Sequence, residues 1–402
     1  MAGSRAGRGV AAGTPSVTSN RGGRLEAARG INVARKLKSD KVLFGATLLL
    51  VCASIVMVYS ASAVVALERF DQPYLFLTKQ ALWAVLGLAV LAFAMKIDYR
   101  TYKNDRFVWA LLGVVGLMLV AVLFSRPVNG TRRWFALGGL GVQPSELAKL
   151  AVILFTALMI ERRIHRINEL TYSVLPIAIV AGALVGLILL QPDFGTSVAL
   201  LLIVAAMVFA AGLHYKYFIG SVLCALPAIY IVLMSASYRR RRLLAFWDPW
   251  ADPLGDGFQI IQSLIAVGSG GLFGRGLMAG VQKLFYLPEP HTDFIFAVIG
   301  EELGLIGATG VLICFCVIAW RGLRVALRAE DTFGAMVALG LTTMIAIQAF
   351  INMSVVLGLM PTKGIPLPLV SAGGSSLLIN LLGMGVLLNI SQHETAGADA
   401  TT

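Results

Sequence analysis

The stretch Tyr286-Leu-Pro-Glu-Pro-His-Thr-Asp-Phe-Ile-Phe-Ala-Val-Ile-Gly-Glu-Glu-Leu-Gly304 begins as a proline-stiffened polar loop and becomes an apolar helix at Asp293-Phe294. A short side-chain oxygen at a helix start accepts from an orphan N–H of the first turn, which predicts a cap at Thr292 or Asp293. From Phe294 the chain stays mostly apolar to Ala319, long enough to cross a bilayer. Glu301 and Glu302 nevertheless fall inside that span. A carboxylate there is costly unless it meets a wet cavity or a partner. Successive helical residues point about 100° apart, so the two glutamates are not expected to share one cavity. Capping and interhelical contact are the plain reading of these acids. Their crowding in one membrane segment makes it a candidate site as well.

Composition extends that reading to the whole chain. It is 58% hydrophobic and 13% charged, with mean hydropathy +0.82, which excludes a soluble enzyme and predicts an all-α polytopic membrane protein. Ten apolar segments can be drawn, at about 42–65, 79–95, 107–124, 144–160, 172–190, 194–213, 217–235, 293–319, 333–357 and 367–390. Residues 238–293 form a large loop between the seventh and eighth. Pro176 and Pro227 lie inside apolar segments, where kinks are expected.

Charge is uneven. Residues 1–41 carry nine Arg and Lys against Glu26 and Asp40, a net +7 of the total +12. This Gly/Ala/Ser-rich tail cannot bury a core and is read as a disordered cytoplasmic arm resting on anionic lipid, with no nucleic-acid partner. Residues 391–402 make a short second tail. With the N-terminus inside, twenty basic residues are cytoplasmic and thirteen are not, and an even number of spans puts both termini in the cytoplasm. The four cysteines sit in apolar runs and the four histidines are scattered, so no metal-ligand spacing appears.

Positive charge on the translocated side opposes the usual bias. Arg126, Arg132, Arg133 and Lys149 gather around the third connection, Arg239 to Arg242 open the long loop, and Lys363 precedes the last span. Guanidinium forks match phosphate oxygens in pairs, so a lipid-linked pyrophosphate is one natural counter-charge. Anionic headgroups are the other. Pro144 suits a first helical position, and Glu146 and Lys149, three apart, share one face as a structural or cavity-lining pair. Gln191-Pro-Asp-Phe-Gly195 breaks the chain, with Asp193 a turn or cap residue and a candidate site residue. Gly268-Ser-Gly-Gly-Leu-Phe-Gly-Arg-Gly276 lacks the preceding strand and Gly-Lys-Ser/Thr ending of a nucleotide loop.

Taken jointly, Arg133-Trp134, Gln143-Pro-Ser-Glu-Leu-Ala-Lys149, Gln191-Pro-Asp-Phe-Gly195, Leu287-Pro-Glu-Pro-His-Thr-Asp-Phe294, Gly300-Glu-Glu-Leu-Gly304 and Pro368-Leu-Val-Ser-Ala-Gly-Gly-Ser-Ser376 resemble the SEDS family (shape, elongation, division and sporulation) over roughly residues 42–390. Trp247-Asp-Pro-Trp-Ala-Asp-Pro253 and Leu359-Met-Pro-Thr-Lys-Gly364 look more like its division members than its elongation members. Ala372 departs from the aromatic usual before Gly-Gly. The resemblance implies a peptidoglycan glycosyltransferase that polymerises lipid II at the septum of a bacterial inner membrane. It also implies a class B penicillin-binding protein and other division membrane proteins as partners. Asp293 matches the family's catalytic aspartate. Arg132, Arg133, Glu146, Lys149, Asp193, His291, Glu301 and Lys363 are then expected around the substrate, with room for a divalent cation at the pyrophosphate. A lipid II flippase and a non-catalytic scaffold for a transpeptidase are the alternatives. The flippase needs charge lining a path to the cytoplasmic side, and the scaffold leaves Asp293, Glu146 and Lys149 unexplained.

Overall fold

A computed structural model describes residues 39–127, 131–137, 140–284 and 286–393. The basic tail, but for its last residues, and nearly all of the C-terminal tail lie outside these. Ten long helices correspond to the ten apolar segments. They are α1 (Lys41–Phe70), α2 (Leu75–Ala94), α3 (Asp105–Val122), α4 (Pro144–Arg163), α5 (Leu175–Leu190), α6 (Phe194–Ala210), α7 (Tyr215–Ser235), α10 (Ile295–Arg328), α11 (Thr332–Val356) and α12 (Gly374–Gln392). Two shorter helices, α8 (Ser237–Trp247) and α9 (Phe258–Ser269), lie in the long loop. An antiparallel ribbon of β1 (Phe135–Leu137) and β2 (Leu140–Val142) precedes α4. By length and composition eight of the ten can cross a membrane. Of the other two, α4 carries Glu146, Lys149 and Glu161, and α6 has 17 residues. The protein is an all-α polytopic membrane protein.

The core is built on α4, buried along nearly its whole length, with α11 and α12 beside it. Helix α4 packs on α3 and α11, α12 on α2, and α10 on α1 and α11. None of the described side chains of α7 is buried. One end of the bundle is tied by polar pairs. Asp40 meets Arg321 (3.3 Å) and Ser391 (3.1 Å), Lys103 meets Glu161 (2.6 Å), Tyr99 donates to Asp331, and Asn389 bridges Tyr99 N (2.9 Å) and Met95 O (2.9 Å).

Three expectations change. Pro176 falls in the first turn of α5, where its missing N–H costs nothing, so it starts the helix after a π-helical turn at Leu170–Val174 instead of kinking it. The last span starts at Gly374, because Pro361, Pro366 and Pro368 keep the preceding chain non-helical. The segment after Asp293 is not one continuous helix: α10 runs on to Arg328 but breaks at Gly304, whose φ is 66°.

That break explains the glycine-rich stretch. Its backbone supplies the hydrogen bonds that α10 loses: Arg275 N donates to Glu301 O (3.0 Å) and Gly276 N to Glu302 O (3.0 Å). In return Leu305 N donates to Gly271 O (2.9 Å) and Ile306 N to Leu272 O (3.2 Å). Backbone lies directly on backbone, so a Cβ on Gly270 would strike the Gly300 carbonyl and one on Gly274 the Glu302 carbonyl. The paired glutamates clamp the loop's continuation. Glu301 accepts from Val281 N (2.8 Å) and Gln282 N (3.2 Å), and Glu302 from Ser60 Oγ (2.6 Å), Met278 N (3.2 Å) and Lys283 Nζ (2.5 Å). Contrary to the helical-wheel expectation, both carboxylates come together, near Gly280, because the loop wraps around the helix to meet them.

Gly274→Ala should destabilise the fold by about 2–4 kcal/mol, through overpacking and a positive φ that alanine resists. Gly268→Ala, with open space around its added methyl, should melt like the wild type. Equal melting of the two purified variants would refute the backbone contact.

Candidate functional site

The residues singled out in the sequence meet at the other end of the bundle. Asp193 caps α6, its Oδ1 accepting from Thr196 N (3.1 Å) and its Oδ2 from Thr196 Oγ1 (2.9 Å). Gln143, just before α4, donates to the same Oδ2 (3.2 Å) and to Ser145 (2.8 Å), while its backbone N–H donates to Ser375 at the start of α12 (3.2 Å). Arg133 reaches the same turn, donating to Gln191 O (3.0 Å) and Pro192 O and lying 3.9 Å from Asp193. Arg133 and Gln143 thus converge on the Gln191–Gly195 turn at the head of α6, and Ser375 of α12 holds Gln143 in turn. Arg132 points elsewhere: it is exposed and donates to Leu123 O (2.9 Å) at the end of α3.

Asp293 lies just before α10 and does not cap it, and neither does Thr292, whose hydroxyl turns back to Glu289. The cap position is Phe294, with no side-chain bond. Residues 291–293 are instead suspended by their carbonyls from α11 and the chain before α12. Ala372 N donates to His291 O (2.9 Å), Ser371 Oγ to Thr292 O (2.6 Å) and Asn352 Nδ2 to Asp293 O (2.7 Å). Ala372 contributes only its backbone here, so the missing aromatic costs none of these bonds. The Asp293 carboxylate rests over Gly364, where an added Cβ would stand 3.0 Å from Oδ2. No described residue donates a hydrogen bond to that carboxylate.

Burial pushes the Asp293 carboxyl up to about 7. Glu289 and Asp193 contribute to that rise, and Arg242 and Arg133 work against it. Lys363, next to Gly364, packs its ammonium 4.8 Å from the Phe194 ring centre, and burial holds it below the usual lysine range. The arginine run divides its work. Arg239 donates to Val232 O (2.8 Å), Arg241 pairs with Asp256 (3.4 Å), and Arg242 is the one that acts on Asp293. His291 packs its ring on Phe76 (4.7 Å), and burial holds it below the ordinary histidine range.

Glu146 and Lys149 form the pair their spacing implied, 2.8 Å apart and both about 2% exposed. Lys149 has a further partner in Gln348 Oε1 (2.8 Å), while Glu146 Oε2 is buried without one. Glu301 lies roughly 9 Å along α10 from its start at 1.5 Å per residue. It is fully buried, and its carboxylate is taken up by loop N–H groups and Arg275. That places it behind the site, holding the loop. Among the described residues no three His, Cys, Asp or Glu side chains gather as a metal ion requires.

Asn352, Gln348, Ser371, Glu289 and Gln143 belong to this constellation and were not singled out from the sequence. Gln143, Glu289 and Ser371 lie within the quoted motifs but carried no individual signal there, whereas Gln348 and Asn352 were signalled as amides four apart in an otherwise largely apolar span.

A family model described as "Cell cycle protein" (FtsW, RodA, SpoVE) matches residues 40–396. A probable peptidoglycan glycosyltransferase FtsW of Geobacter sulfurreducens is 44% identical over 90% of this chain and 97% of that protein. Stage V sporulation protein E of Bacillus subtilis is 44% identical over 90% of this chain and 99% of its own. Among solved structures, a chain from a peptidoglycan synthase complex that coordinates polymerization and crosslinking superposes with TM-score 0.73 at 34% identity, covering 88% of this chain and 98% of that one. Thermus thermophilus rod shape determining protein RodA gives TM-score 0.67 at 29% identity, over 89% and 98%.

The raised Asp293 carboxyl sets a stability slope. As pH rises above 3.8 the unfolded chain loses this proton while the folded chain keeps it until about 7. Folded-state stability from this group is therefore lost across that window and level above it. The melting temperature of purified wild type, minus that of Asp293→Asn, should fall from pH 4 to pH 7. A difference that stays flat would contradict the raised value.

Proposed function

The chain belongs to the FtsW/RodA/SpoVE family of cell cycle proteins and is a peptidoglycan glycosyltransferase, and from that premise we propose that it polymerises lipid II with Asp293 as general base. The observation that carries the assignment is the Asp293 carboxylate itself. It lies at the boundary between loop and membrane span and accepts no hydrogen bond from the described residues, with arginines acting on it from two loops and a lysine on the adjoining chain.

Forming a β-1,4 bond from an α-linked sugar pyrophosphate is an inverting displacement. The acceptor 4-hydroxyl oxygen attacks the anomeric carbon, the bond to the pyrophosphate oxygen breaks, and the hydroxyl proton passes to Asp293. A base with a pKa near neutrality is well matched to that proton. Negative charge grows on the leaving pyrophosphate, and Arg133, Arg242, Lys363 and Lys149 are the cations assigned to it. The lipid tails stay in the bilayer while the sugars meet Asp293 at its surface. His291, with its depressed basicity, serves as a neutral wall beside Phe76.

The proposal places both termini in the cytoplasm, the loop of residues 238–293 outside, and the protein at the septum with a class B penicillin-binding transpeptidase and other division proteins. The basic tail favours that orientation. Similarity to a structure concerned with polymerization and crosslinking supports a cross-linking partner. A divalent cation at the pyrophosphate would have to be held mainly by the phosphate oxygens, and no step is assigned to one.

The decisive experiment supplies labelled lipid II to the protein purified with its transpeptidase. Asp293→Asn keeps size and removes the proton acceptor, and should cut the rate by about 10²–10⁴. Asp293→Glu should retain little, since a shifted base loses alignment. Near-normal polymerisation by a folded Asn variant would retire Asp293 as the base.

Orientation has its own test. In a background with Cys52, Cys224, Cys314 and Cys316 replaced, Leu254→Cys should react with an impermeant thiol reagent on intact spheroplasts and His165→Cys should not. The reverse pattern would overturn the topology.

A further inference from the structure

Two buried amides stand behind the candidate site on one helix. Gln348 and Asn352 are four residues apart on α11, hence on one face, and are 1% and 2% exposed. Each holds a different charged member of the site. Lys149 Nζ donates to Gln348 Oε1 (2.8 Å), and Gln348 Nε2 is spent on Met344 O (3.0 Å), which fixes which way its amide faces. Asn352 uses Nδ2 twice, on Asp293 O (2.7 Å) and on Ile365 O (2.8 Å). Ile365 adjoins Gly364, the seat of the Asp293 carboxylate, so one amide holds both the peptide of Asp293 and the surface beneath it.

We propose that Gln348 and Asn352 are positioning residues that together set the spacing between Lys149 and Asp293, so that cation and base address one substrate. This rests on the reading of Asp293 as the base. Ordinary interhelical contact is the competing account, and two observations count against it. The partners outside α11 are in both cases parts of the candidate site or of its floor. In addition, Asn352 Oδ1 is buried without a partner, a cost that an apolar side chain packing the same helix pair would avoid.

The test uses the full-length protein with its transpeptidase, comparing wild type with Asn352→Leu, Gln348→Met, the double variant and Asn352→Asp. Asn352→Leu should lower kcat about 10²-fold, the usual cost of a misplacement near 1 Å, and leave KM within about threefold. Its acid limb should move to lower pH, because Asp293 freed from its seat is better solvated. Glu289, Asp193, Arg242 and Arg133, which act on Asp293 in the folded protein, are unchanged by the substitution. Gln348→Met should lower kcat/KM about tenfold with the acid limb unmoved, and the double variant should lose less than the product, since both act through one geometry. If Asn352→Leu does not fold, Asn352→Asp carries the test: it keeps the shape and gives up both N–H donors, and wild-type kcat in it would overturn the proposal. Activity lost only in proportion to folded protein, with an unmoved acid limb, would also overturn it. A readout without substrate separates this proposal from the assignment of function. The melting-temperature slope between pH 4 and 7 should flatten in Asn352→Leu even if wild type proves inert on lipid II. A slope equal to wild type would sink the positioning role alone.

Discussion

Every polar group carried into the apolar layer must be paired inside the protein, and α10 meets that demand at a point where its own ladder is broken. Gly304 takes a left-handed φ and interrupts the intrahelical hydrogen bonds. The backbone of residues 271–276 fills the gap, and the clamp of Glu301, Glu302, Lys283 and Ser60 secures the next stretch of chain. A loop fixed up to Lys283 has nine residues left before Asp293. The membrane's intolerance of unpaired backbone thus becomes a means of placing a carboxylate at the membrane boundary.

Two opposing influences act on that carboxylate. A helix N-terminus would stabilise its ionised form and weaken it as a base. Burial does the reverse. The geometry decides between them: Phe294 takes the cap position, Asp293 stays outside the first turn, and burial with Glu289 dominates over Arg242 and Arg133. The arrangement keeps cations near enough to meet an anionic leaving group without committing any of them to a direct pair with Asp293.

Most of the architecture was legible in the chain because membrane spans are written in composition, and composition survives misjudged ends. The Glu146–Lys149 pair and the Asp193 cap could be read because i,i+3 neighbours and helix starts are local facts. What could not be read was long-range. Whether Glu301 faced a substrate or a loop depended on a wrap of chain from residues 270–283, which no helical wheel contains. Asp293 looked like a cap because residue type and position allowed one; its true support is Asn352, 59 positions away in sequence, with Ser371 holding the neighbouring Thr292 carbonyl from 79 away, and both announce themselves only as polar residues in or beside apolar runs. The arginine run read as a single patch, yet its members point to three different tasks.

The two ends of the bundle use their polar groups differently. At one, Asp40, Tyr99, Asp331, Glu161 and Asn389 find partners on other helices, although Glu161 Oε2 and Arg321 Nε are buried without one. At the other, Glu146 Oε2, Asn352 Oδ1, Gln191 Oε1 and His291 Nδ1 are buried without partners, around a carboxylate that no described side chain satisfies. Unpaired buried acceptors are expensive, and they gather where charged groups also gather. The polar capacity left open beside Asp293, on Glu146, Gln191, His291 and Asn352, lies where cations also gather, which is what a site for a charged substrate at that end requires.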